Sequence, residues 1–253
     1  YENEMLFSAL SHPNIINILH GNPLQRTRSG DKVALTSYIV LEYAPYGDFA
    51  EFFIRNKWPK DEVFARTFFQ QLIEGLDYLH TNGFAHLDIK LENLLLGEDF
   101  NLKIIDFDMS FVEGHSIPQG IGTPNYRAPE LRDKKCYDPT AADVYSAGII
   151  LFTFVGIGFP YVEGNNPDGH DLYELMQKGD PKFWEIQKGF KHIQPSEDFK
   201  DLFLKMTKAD PEKRLTLDKV KLSKWYQGPT YSKDELKAKL VEYQLVPESS
   251  IEN

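Results

Sequence analysis

Between residues 61 and 80, Val63, Phe64, Phe68, Phe69, Leu72, Ile73, Leu76 and Leu79 recur every three or four positions, and Asn82-Gly83 closes the run. That spacing lines one face of a long amphipathic helix. Upstream the pattern is shorter and less regular. Residues 2–10 read as a helix that stops at His12-Pro13, where proline removes a donor and favours extended geometry before it. Residues 15–19 and 34–42, rich in Ile, Leu, Val and Tyr, predict two strands joined by a long polar loop over 21–32. Two further β-like pieces, 94–96 and 102–105, flank a turn, and each ends in polar residues suited to chemistry. Helices are predicted over 141–155, 170–178, 196–208 and 217–225. A last helix, 232–243, opens with Ser232-x-x-Glu235, a pair that can cap backbone amides reciprocally, and is expected beyond the main domain.

Composition narrows the classes. The 253 residues carry 28 Lys and Arg against 38 Asp and Glu, a formal charge of -10, with 42% hydrophobic residues. This is a globular composition, and its acidity argues against nucleic acid or anionic membrane as a partner. One cysteine, Cys136, precludes an intrachain disulfide and a thiolate metal cluster, which suits a reducing, cytoplasmic compartment. The apolar run 147–159 is shorter than the ~20 residues of a spanning helix and reads as a buried core helix. The chain opens Tyr-Glu-Asn-Glu without Met, so it is expected to begin partway through a longer polypeptide.

The chemistry concentrates in His86-Leu87-Asp88-Ile89-Lys90-Leu91-Glu92-Asn93, then Asp106-Phe107-Asp108 and Ala128-Pro129-Glu130. Four fixed residue types in the order His-x-Asp-x-Lys-x-x-Asn arise by accident in about one chain of this length in several hundred. In order and spacing these motifs resemble the catalytic core of eukaryotic protein kinases, and Lys90 with Gly122-Thr123-Pro124 resembles the serine/threonine branch. The segment from Asp171 to Trp184, with Asp210-Pro211-x-x-Arg214, is similar to calcium/calmodulin-dependent-type kinases, although no calcium-loop pattern is present. The resemblance implies an α+β, two-lobed fold. Residues 1–44 would form a partial N-lobe and hinge, 45–228 a mostly helical C-lobe, and 229–253 an extension with one helix.

By the same resemblance, Asp88 would accept the proton of a Ser or Thr hydroxyl on a protein substrate, and Lys90 would place charge on the phosphate in transfer. Asn93 and Asp106 would hold Mg²⁺. Thr123 would bond Asp88 and Lys90, and the segment around it would receive the substrate residue after the acceptor. Glu130 would pair with Arg214, and Asp143 would fix the catalytic loop through backbone amides. ATP would lie against the hinge, with Leu41 guarding a back pocket, the Glu42 carbonyl and Ala44 amide meeting adenine, and Leu95 beneath the ring.

Three departures qualify that pattern. Leu87 stands where arginine usually receives an activation-loop phosphate, so that switch is expected to be missing. Asp108 stands where glycine is usual and predicts a positive φ costing roughly 1 kcal/mol, with a bias toward a flipped, inactive conformer. No glycine-rich loop or strand lysine precedes the first helix, and that lysine's partner, Glu2 or Glu4, is unassigned. These residues alone are therefore expected to bind Mg-ATP poorly and to expose the underside of the first strands; a pseudokinase, acting as a binding module, is the alternative. As to the substrate, Glu92 resembles an acid aimed at a substrate arginine, but Thr153 stands where a second such acid often sits.

Overall fold

The computed structural model describes residues 5–29, 32–55, 57–116, 120–132, 138–162, 169–191 and 194–250. Glu2, Glu4 and Cys136 lie outside them. A short 3₁₀ turn at Phe7–Ala9 leads to an antiparallel ribbon of β1 (Ile18–Ser29) and β2 (Lys32–Leu41). The expected loop over 21–32 is therefore largely strand. Its register slips between Asn22 and Gln25, around Pro23, which has no N–H to give the ladder. Ladder bonds do not require apolar side chains, so a ribbon can run through a polar stretch that hydropathy reads as loop.

Below the ribbon the structure is mainly helical. α1 (Phe49–Ile54) is capped by Asp48, and α2 (Glu62–Thr81) by Asp61, whose carboxylate accepts the Val63 and Phe64 amides. Along α2, Phe64, Phe68, Phe69, Leu72, Ile73, Leu76 and Leu79 are fully buried, as their spacing predicts. Two small ladders follow: β3 (Phe84–Ala85) pairs with β6 (Phe111–Val112), and β4 (Leu94–Leu96) with β5 (Leu102–Ile104). Next come α3 (Pro129–Arg132) and α4 (Pro139–Phe152), which passes into a π turn at Thr153–Ile157. The stretch Pro139–Gly156 is long and apolar enough to cross a membrane by length and composition, yet 89% of it is buried inside the molecule, the signature of a core helix.

The lobe is completed by α5 (Leu172–Lys178), α6 (Pro181–Lys191), α7 (Glu197–Met206), α8 (Leu217–Lys221) and α9 (Lys233–Glu242). The sequence pattern overlooked α1, α3 and α6, each too short or too irregular to show a full apolar stripe. It also ran α8 four residues too far. The capping box at α9 forms as expected, with Ser232 and Glu235 bonding each other's backbone amides.

α9 does not stand apart from the domain. Leu236, Leu240, Leu245 and Val246 are buried in the common core. Asp61, already capping α2, accepts on its other oxygen the hydroxyls of Tyr231 (2.8 Å) and Tyr243 (3.2 Å). Burial and this carboxylate push the Tyr231 hydroxyl up to about 12. Lys57 Nζ donates to the Gln244 carbonyl at 3.0 Å, closing the far end of the segment.

Candidate active site

Asp88 is the centre of a closed polar knot and is only 5% exposed. The Thr123 amide and hydroxyl both donate to its Oδ1, at 2.9 and 2.8 Å, while Lys90 Nζ donates to Oδ2 at 2.6 Å. Lys90 also reaches Thr123 Oγ1 at 3.3 Å. Asn93 Nδ2 donates to the Asp88 carbonyl (3.0 Å) and to its Oδ2 (3.3 Å). Three of the expected residues thus converge on the carboxylate of a fourth.

Buried Asp143 at the core of α4 carries the backbone that presents it. Its Oδ1 accepts the Leu87 amide at 2.7 Å and its Oδ2 the His86 amide at 2.8 Å, with His80 Nε2 2.9 Å away. Three donors offset the cost of burying a charge. They also hold Leu87 at a φ of 64°, a left-handed conformation that costs a bulky residue roughly 1–2 kcal/mol. The His86 ring bridges two loop segments of the site: its Nδ1 accepts the Asp88 amide (3.2 Å), and its Nε2 donates to the Ile105 carbonyl (2.8 Å). His80 was not legible from local pattern; it is the last turn of α2 that carries it to Asp143.

Asn93 and Asp106 are brought together because the β4–β5 pairing, Leu94 opposite Ile104, continues through Ile105 N–H to the Asn93 carbonyl at 3.0 Å. One amide oxygen and one exposed carboxylate are hard oxygen donors, and a site that adds phosphate oxygens and waters to them suits Mg²⁺. Among the described residues no cluster of three or more His, Cys, Asp or Glu forms a metal site of its own. Asp106, not Asp108, carries the positive φ, 65°. The strain expected at Asp108 is therefore not present. Phe107 is buried, stacked 4.2 Å from the Phe7 ring and 5.4 Å from His86, so it fills the core and leaves the groove open. The flipped arrangement expected from Asp108 is not the one observed.

Leu95 sits on the opposite face of β4 from buried Leu94 and Leu96 and is half-buried. The Asp48–Leu95 bridge and the Leu96 N–H to Gly47 carbonyl bond (3.0 Å) bring the segment after the hinge against that strand. Leu41 ends β2 and is 41% exposed, so no closed back pocket is seen behind it among the described residues. Neither the Glu42 carbonyl nor the Ala44 amide has a hydrogen-bond partner among the described residues, which leaves an acceptor and a donor side by side on the hinge. The Glu42 side chain is anchored instead: Asn17 Nδ2 donates to it at 2.6 Å, and Lys103 Nζ lies 3.0 Å away. Lys103 was missed, although a lysine between Leu102 and Ile104 in an apolar strand signals a buried partner.

Glu130 and Arg214 form the expected buried fork, 2.6 and 2.9 Å. Arg214 also donates to the Lys208, Ala209 and Ala141 carbonyls, so its donors are filled. Glu92 is exposed beside the Tyr126 hydroxyl, which burial pushes well above its usual range. Thr153 is buried, bonding the Ile149 and Gly158 carbonyls, a purely structural role.

A two-stranded ribbon thus lies over a helical lobe, with this aspartate-centred cluster below the hinge segment. Residues 2–226 match the family described as the protein kinase domain. The chain belongs to that family. It is 34% identical over 223 residues to CBL-interacting protein kinase 26 of Oryza sativa subsp. japonica, covering 86% of this chain and 41% of the relative. It is also 34% identical to CBL-interacting protein kinase 11 of the same source (87% and 41%) and to serine/threonine protein kinase OSK3 of Oryza sativa subsp. indica (75% and 35%). The chain thus spans about four tenths, or less, of the length of these relatives. The α+β kinase fold and the serine/threonine branch are borne out at this level.

Proposed function

We propose that the protein transfers the γ-phosphate of ATP to a serine or threonine hydroxyl of a protein substrate, using Mg²⁺. The observation that carries this is the meeting of Thr123, Lys90 and Asn93 on the single Asp88 carboxylate. Phosphoryl transfer asks little covalent work of a protein; it asks that the acceptor be oriented and the charge on the transferring group be balanced. Asp88, held from two sides, accepts the hydroxyl proton, and Lys90 supplies a cation beside it. Asn93 and Asp106 would hold Mg²⁺, which when bound balances charge on the triphosphate. The free acceptor and donor of Glu42 and Ala44 suit the edge of adenine, with Leu95 under the ring. The single cysteine supports a reducing, cytoplasmic setting.

Transfer of labelled phosphate from ATP to a mixed peptide library by the full-length protein tests the reading. Phosphoserine and phosphothreonine are the expected products, lost when Mg²⁺ is chelated. Phosphotyrosine alone, or unlabelled peptides, would contradict it.

A further inference from the structure

His12 closes a turn with its own ring. Its Nδ1 accepts the Asn14 amide at 3.1 Å, so the ring is neutral and carries its one proton on Nε2. The ring is half-buried and stacked on Tyr78 of α2, centroids 4.9 Å apart, and the Tyr78 hydroxyl accepts the neighbouring Ser11 amide at 3.2 Å. Asn14, 5% exposed, is the residue this turn presents to the lobe. Its carbonyl accepts the Ile104 amide at 2.9 Å, its Nδ2 donates to the Leu102 carbonyl at 3.0 Å, and the Ile16 amide donates to the Ile104 carbonyl at 3.0 Å. Those bonds fasten β5, and Asp106 follows shortly after the strand ends. The charges around the ring oppose a second proton. Lys103 of β5 and Lys221 of α8 face it as cations and Glu74 of α2 as an anion. Glu74 is itself held by Lys221 at 2.9 Å and by the Tyr226 hydroxyl at 2.8 Å, and Asp77 by Lys221 at 2.9 Å. Burial first, then the two lysines, hold the His12 ring below the usual histidine range against the pull of Glu74.

We infer that His12 is an acid-sensitive catch: neutral, it closes its turn on β5, and protonated, it releases that turn together with the strand leading to Asp106. The second proton goes onto Nδ1, the atom that accepts the Asn14 amide, so two N–H groups then face one another across 3.1 Å and the bond is lost. By linkage, a ring held below its open-chain value of about 6.5 stays neutral in the closed turn and takes a proton when the turn opens. The closed turn is therefore fully favoured above that pH and loses ground as pH falls toward the lower value of the closed state.

Hydrogen–deuterium exchange of the full-length protein at about pH 7.5 and about pH 5.0, corrected for intrinsic exchange rates, follows the catch without reference to activity. Between those values, protection of peptides spanning 12–17 and 102–106 should fall about threefold or more in wild type, relative to peptides from α7. His12→Asn supplies a side-chain carbonyl that accepts an amide two residues on and does not titrate, so its loss should stay within about 1.5-fold. Lys221→Met removes a cation that faces the ring and should shrink the loss. Equal losses in wild type and His12→Asn, or none in wild type, overturn the inference. If His12→Asn does not fold, a loss in Lys221→Met equal to that of wild type overturns it instead. On the phosphotransfer reading, turnover on a Ser/Thr peptide should also fall at least about twofold more in wild type than in His12→Asn over the same range. Equal falls would mean that release does not reach Asp106 and would likewise overturn the inference. Absence of transfer at either pH contradicts the phosphotransfer reading alone, because the exchange comparison still decides the catch.

Discussion

Leu87 keeps the backbone of its loop while placing an apolar side chain where the family resemblance expects a cation. Its backbone keeps the left-handed turn that aims Asp88, because Asp143 accepts its amide, while its side chain is buried in the apolar core. A leucine there offers no cation to a phosphorylated activation segment. Phosphatase treatment should therefore leave phosphotransfer within about twofold of the untreated rate, measured on one peptide before and after dephosphorylation. A large loss, with a phosphate mapped between Met109 and Ile121, would mean that another cation is the receptor. The residue scale is also where the sequence was most legible. Asp88, Lys90, Asn93, Thr123, Glu130, Asp143 and Arg214 follow from the family resemblance that the order and spacing of the motifs carry. Lys103 and His80 did not, because each bonds a neighbour distant in sequence, and spacing carries no trace of such a contact.

Among elements, α2, β4, β5 and α9 were readable since each carries a complete local signal: an apolar stripe, a turn between short apolar runs, or a capping box. The β1–β2 ribbon was not, for its middle is held by backbone ladders that polar residues can make. α6 escaped despite a usable cue, Asp180-Pro181, in which the Asp180 carboxylate accepts the Lys182 amide. The docking of α9 was also invisible, since it depends on Asp61 serving two tyrosines as well as its own helix. Leu240, fully buried, is the core anchor of that element. Leu240→Ala should destabilise the domain by about 2–5 kcal/mol, whereas Lys237→Ala, whose ammonium rests 5.1 Å from the centre of the Phe100 ring, should cost under about 1 kcal/mol. Chemical denaturation followed by intrinsic fluorescence separates the two. Equal losses would show that α9 is held by its surface and not by its buried leucines.

Across the described residues, a helical lobe carries the residues proposed for catalysis and a thin ribbon leads into the proposed hinge. The lobe supports its site from three directions: α4 through Asp143, the β4–β5 ladder through Asn93 and Ile105, and the segment from Thr123 to Glu130 that Arg214 ties to the core. The ribbon is different, with Leu19, Leu35 and Val40 exposed at 65%, 66% and 43%, as expected of strands whose underside is uncovered. On the proposed function the acceptor site and the nucleotide site rest on different elements, so the two are expected to respond independently to substitution. Asp88→Asn in the full-length protein keeps size and removes the proton acceptor. The account predicts that turnover on a Ser/Thr peptide falls by about 10² or more while the Kd for Mg-ATP changes less than about threefold. Transfer at the wild-type rate in that variant would contradict it.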